Sequence, residues 1–115
     1  MVKLEADIKT VAKGIIQGNE KRKKRIKANK GSTFDVRALS VVEDALRNSC
    51  GNIESSRQRK RMQDIIYNSI IYNTPYEYCP DVFVGRRQFY EMRMEFIAAV
   101  ADGLEMLPDG QQEPG

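Results

Sequence analysis

The sequence contains no histidine and only two cysteines, Cys50 and Cys79. That leaves too few nitrogen and sulfur ligands for a zinc site. It also removes the commonest general base and the usual partner of a serine or cysteine nucleophile. No phosphate loop and no carboxylate pair with a defined pocket replaces them. Glu43 and Asp44 are adjacent and point to different sides of their helix. Glu91 and Glu95 share a face, but an exposed helical pair is ordinary surface charge. The chain is therefore expected to be no enzyme and to need no cofactor.

Long apolar runs are missing too. No stretch approaches the ~18 apolar residues of a membrane span. Glu5 and Asp7 interrupt any charged-then-apolar leader pattern. The cytoplasm is the expected compartment, and there both cysteines are expected to stay reduced. No segment alternates as a strand, and there is no internal repeat. With 115 residues, the chain is long enough for one modest core.

The most telling absence is local. From Lys21 to Lys30 no residue is acidic, and seven of the ten are basic: Lys21, Arg22, Lys23, Lys24, Arg25, Lys27 and Lys30. The whole chain carries +3, so everything outside this run sums to −4. A slightly acidic body with one concentrated positive arm points to a polyanionic partner, nucleic acid first.

Four segments read as helix, which makes the expected fold all-α. The first covers about Val2 to Gln17, with Leu4, Ile8, Val11 and Ile15 on one stripe. Gly14 and Gly18 weaken it by ~1 kcal/mol each if helical. The basic run either extends this helix or frays from it, and Asn29 and Gly31 end it. Residues 1–31 thus read as a helix plus basic arm, and 32–107 as the helical body.

The second helix covers about Thr33 to Asn48. Ser32 and Asp35 form a candidate capping box, and Phe34, Ala38, Val41, Val42, Ala45 and Ser49 the inward stripe. Gly51 suits a left-handed stop. The third runs about Ile53 to Tyr72, with Asn52 as candidate cap. Its apolar half (Met62, Ile65, Ile66, Ile70, Ile71) marks it as the expected central helix. The fourth runs about Arg86 to Leu107, with Phe89, Phe96, Ile97, Val100, Leu104 and Leu107 inward. Arg93 falls inside its apolar arc, there to snorkel or to pair with a carboxylate. Residues 108–115 read as a disordered tail.

On the fourth helix Arg87, Gln88, Glu91 and Glu95 point outward and Tyr90 sits at the border. Donors and acceptors crowd the first turns with an apolar anchor behind. A major-groove reading helix has this layout. A plain solvated face has it too.

The segment from about Ile65 to Leu107 resembles the C-terminal half of small phage-encoded transcription regulators of the RinA and ArpU type. Their helix-turn-helix looks like region 4 of sigma factors. The resemblance rests on the apolar helix Ile65-Ile66-Tyr67-Asn68-Ser69-Ile70-Ile71, a short aromatic turn, and the start Gly85-Arg86-Arg87-Gln88-Phe89-Tyr90-Glu91-Met92-Arg93-Met94-Glu95-Phe96. It covers roughly 40 of the 115 residues. The family usually carries a small polar residue where Gly85 stands, and no clear extra helix lies between Tyr76 and Val84.

The resemblance implies a helix-turn-helix-like C-terminal half and a sequence-specific regulator of transcription on double-stranded DNA. Arg86, Arg87, Gln88, Tyr90 and Glu91 would read the groove. The resemblance does not reach the first half of the chain; there the charge run itself suggests that Lys21, Arg22, Lys23, Lys24, Arg25 and Lys27 would grip phosphates. The Leu4/Ile8/Val11/Ile15 stripe is a candidate homodimer surface or a core contact. The alternative is a protein-interaction module, either a packaging or assembly component or a factor that docks on RNA polymerase.

Overall fold

The computed structural model describes residues 4–106. Expectations for Val2, Leu107 and the 108–115 tail lie outside them. Among the described residues there are five α-helices and no strand: α1 (Ala6–Gln17), α2 (Asn19–Lys27), α3 (Thr33–Arg47), α4 (Ser56–Ile71) and α5 (Arg86–Gly103). A single 3-10 turn, Tyr76–Tyr78, lies between α4 and α5. The all-α expectation holds. The count rises from four to five because the basic run is a helix of its own, separated from α1 by Gly18.

Local chemistry sets most boundaries. Asp35 N–H donates to Ser32 Oγ at 3.0 Å, and Ser32 N–H donates back to Asp35 Oδ2 at 3.0 Å. The capping box is therefore complete, and α3 starts at Thr33 as expected. Asn29, at φ 59°, ends α2 in the left-handed region, with Lys30 N–H reaching back to the Arg25 carbonyl at 2.8 Å. After α3 the left-handed residue is Cys50 (φ 58°), not Gly51. The α4 cap is Ser55, which accepts from Gln58 N–H, rather than Asn52. The intervening chain is used otherwise: Arg59 folds back to donate to the carbonyls of Ile53 (2.9 Å) and Glu54 (3.1 Å). That tie holds the connector in a non-helical path.

One core unites α1, α3, α4 and α5, and α2 is tied to it by polar contacts. Its fully buried members include Ala12 and Ile16 from α1, Val42 from α3, Met62, Ile66 and Ile70 from α4, and Phe89, Phe96, Ile97 and Val100 from α5. Each buried phenylalanine contributes about 2–3 kcal/mol of transfer free energy. α5, not α4, is the central helix, touching α1, α3, α4 and the 3-10 turn. Small residues let it sit there: Ala98 and Ala101 are buried, and Gly103 meets Val41 so closely that a Cβ would lie 2.6 Å from Val41 Cγ1. The charged first turns of α5 mask this in the sequence.

The expected α1 stripe is split. Ile8 and Ile15 pack against the core, but Val11 is 51% exposed, and Ala12 and Ile16 take the innermost positions. The face is therefore not free as one dimer surface. Phe34 is likewise exposed on the first turn of α3. Arg93 is half-buried and pairs with no carboxylate among the described residues; it donates to the Thr74 carbonyl at 3.3 Å, just past the end of α4. Burial lowers its pKa from the usual arginine value.

Candidate nucleic-acid interface

The helix α2 sorts the basic run into two classes. Asn19, Arg22 and Ile26 recur at helical spacing and face inward. Lys21, Lys24 and Lys27, three residues apart, face solvent and make no ion pair with any described residue. Lys30, just beyond the helix, is also exposed.

Arg22 is 5% exposed. It donates to the Ile15 carbonyl at 3.0 Å and to Asn19 Oδ1 at 3.1 Å, and its Nε lies 3.8 Å from Asp35 Oδ1. This corrects the expectation that it grips phosphates: its charge is spent clamping α1, α2 and α3. Arg25 makes a two-pronged contact to the same carboxylate, at 3.1 and 2.7 Å. That bond, with the Ser32 amide, holds the Asp35 carboxyl well below the usual carboxylate range. Lys23 pairs with Glu20 at 3.2 Å and lies over the Tyr67 ring. Of the six expected phosphate contacts, Arg22 is buried, Arg25 and Lys23 are exposed but ion-paired, and Lys21, Lys24 and Lys27 remain.

The network continues into α4. Asn19 Nδ2 donates to Tyr67 Oη at 3.0 Å, and Tyr67 O–H donates to the Glu20 carboxylate. Burial, reinforced by that bond, pushes the Tyr67 pKa up to about 12. The Tyr67 bond lowers that of Glu20. A folded-state pKa above the ordinary 10.0 favours the protonated phenol. The contribution is therefore complete below pH 10, and it is lost as pH rises through about 12. We expect the stability advantage of the natural protein over Tyr67→Phe, measured by urea denaturation, to be constant up to about pH 10 and to shrink above it. An advantage unchanged through pH 11 or so would show that Tyr67 does not anchor α2 in this way.

The start of α5 is less free than its sequence implies. Arg86 pairs with Glu77 at 2.8 Å and stacks over Tyr90. Arg87 pairs with Glu91 at 3.0 Å, yet its side chain is 90% exposed. Gln88 is half-buried. Tyr90 turns toward the connector and accepts from Tyr76 N–H at 3.1 Å. Beyond the first turn the outward residues include Glu91, Glu95 and Asp102, so the cationic part of the helix is short. The connector, residues 72–85, is longer than the three- or four-residue turn of a helix-turn-helix.

The two basic sites are separate. α2 docks at Ser32–Asp35, the start of α3. The start of α5 lies across a groove from Asn48, Gly51 and Asn52, just after the end of α3. The 15 residues of α3 lie between, about 22 Å at the helical rise. Compared with known proteins, the chain matches no family model, no curated sequence and no solved structure. Among the described residues no helix is long and apolar enough to cross a membrane, and no group of three or more Cys, Asp or Glu is placed to hold a metal.

Sequence reasoning missed the Asn19–Tyr67–Glu20 network. Its members are 48 and 47 residues apart, and nothing in a single sequence pairs them.

Proposed function

We propose that this chain binds double-stranded DNA as a small transcription regulator of the phage type, with α2 as its phosphate grip and the first turn of α5 as a second, reading contact. The observation that carries the reading is the solvent face of α2: Lys21, Lys24 and Lys27 in a row, with no carboxylate among the described residues paired to them. A rigid helix presents three cations without the ordering cost a flexible arm would incur. Backbone contact of this kind gives affinity and orientation, not selectivity. Selectivity falls to Arg86, Arg87 and Gln88, with Arg87 the most exposed of them. The resemblance to RinA- and ArpU-type regulators supports the same assignment.

The test is a salt titration of binding to random-sequence duplex. Three engaged lysines give a slope of log K against log salt near −2.7. Affinity should then fall roughly 40-fold between about 50 and about 200 mM salt. Absence of binding even at low salt would falsify the reading.

Exposed Phe34 and Val36 on α3, each 55% exposed, favour a second reading, a protein-interaction module such as an assembly component or an RNA polymerase-docking factor. That reading predicts no dependence of function on the three lysines.

A further inference from the structure

A second surface, away from α2, has the chemistry of a stacking platform. Along α4 and its C-cap, Arg57, Arg61, Ile65, Asn68 and Tyr72 recur every three or four positions; all are exposed but Ile65, which is half-buried. Across from the end of this row stands the 3-10 turn with Tyr78. Between them lies a groove of about 430 Å³ lined by Ile65, Asn68, Tyr72, Thr74, Tyr78 and Pro80, among others. Tyr72 is 75% and Tyr78 78% exposed, so both rings offer their faces to solvent. Isolated exposed tyrosines are ordinary, but two at the rim of one groove are not scattered surface residues.

The charges one and two turns up α4 from the groove select the occupant. Arg57 and Arg61 are exposed and make no ion pair with any described residue. Arg61 lies over the Phe83 ring, 5.6 Å from its centroid, which holds the guanidinium in place with its edge free. The nearby acids are mostly spent: Asp64 pairs with Lys60 and Glu77 with Arg86, leaving Asp81 on the connector. Flat aromatic faces with arginines farther along the same stripe, in no ion pair with a described residue, suit an extended polyanion that carries rings.

We propose that this groove binds single-stranded DNA, with bases stacked on Tyr72 and Tyr78 and phosphates held by Arg57 and Arg61. Asn68 and Thr74 supply donors and acceptors for base edges. Ile65 and Pro80 supply apolar contact of the kind that meets the C5-methyl of thymine, so thymine-rich strands are the favoured occupant. A duplex cannot use this site, because its bases are already stacked on one another. The inference does not rest on the lysine face of α2.

The probe is a labelled oligothymidylate of about a dozen residues, within the span of known single-strand sites. Titrated into the full chain at low salt, it should bind saturably and quench tyrosine fluorescence. The double variant Tyr72→Ala/Tyr78→Ala should bind it about tenfold more weakly, or worse, with duplex affinity and helical circular dichroism unchanged. Arg61→Ala should reduce the salt slope by about 0.7. Unaltered affinity in the tyrosine variant, or no saturable binding at all, would overturn the proposal. Equal binding of oligouridylate would overturn its assignment to DNA. Failure of duplex binding, by contrast, would leave this result untouched and count only against the α2 reading.

Discussion

Arg22→Ala should destabilise the protein by about 3 kcal/mol, while Lys21→Ala and Lys24→Ala should cost almost nothing. These neighbours share one basic run, and composition gives no reason to separate them. Their surroundings do. Arg22 is buried among the Ile15 carbonyl, Asn19 Oδ1 and the Asp35 carboxylate. Truncation removes hydrogen bonds made by a charged donor and leaves their buried acceptors unmatched. It also empties the space the guanidinium fills between α1, α2 and α3. Arg22→Lys should not rescue it, because a lysine ammonium cannot reproduce the planar guanidinium, whose Nη1 donates to two acceptors while its charge sits beside Asp35. Urea denaturation of the three alanine variants checks this directly. A cost below about 1 kcal/mol for Arg22→Ala would mean that α2 is held by Arg25–Asp35 and the Tyr67 network rather than by Arg22.

The same network explains which parts of the fold were readable in advance. Helix positions were, because they depend on spacing and caps within a few residues: the Ser32–Asp35 box and the start of α5 at Arg86 fall where the pattern puts them. Buried stripes were readable where apolar residues recur without competition, as at Ala38, Val42 and Ala45, or at Met62, Ile66 and Ile70. The identity of the central helix was not. α5 alternates charged and apolar residues in its first turns, and its centrality depends on small residues meeting other helices, as Gly103 meets Val41. The candidate site shows the same division. A run of cations is visible as a run, but which of them face solvent depends on Asp35 and Tyr67, residues that only folding brings beside α2.

The distribution of acids then narrows what the molecule can present to DNA. The outward side of α5 carries Glu91, Glu95 and Asp102, and Asp44 lines the groove beside Asp102. Laying the length of α5 along a groove would bring these carboxylates toward phosphates. Any contact through α5 must therefore be end-on, by its first turn, with the rest of the helix directed away. That geometry agrees with Arg87 being the most exposed of the reading candidates and Tyr90 being turned inward.

Reversing three charges on α2 should abolish duplex binding without unfolding the protein. Lys21→Glu, Lys24→Glu and Lys27→Glu together change the solvent face from +3 to −3 and touch none of the bonds that Arg22, Arg25 and Lys23 make. Each lysine lost removes about 0.9 from the salt slope, and each glutamate adds repulsion from the backbone. At low salt, where the natural protein is expected to bind in the micromolar range, affinity should fall by roughly a hundredfold or more. Arg87→Ala with Gln88→Ala should act differently. Overall affinity should change little, but sequences selected from a random pool should lose their preference. The two results together separate grip from reading. If the charge-reversed protein folds and still binds duplex as tightly, the lysine face is solvated surface, and the interface lies elsewhere on the molecule. If it loses binding while selection from the pool by the natural protein yields no preferred sequence, α2 binds DNA and the start of α5 does not read it.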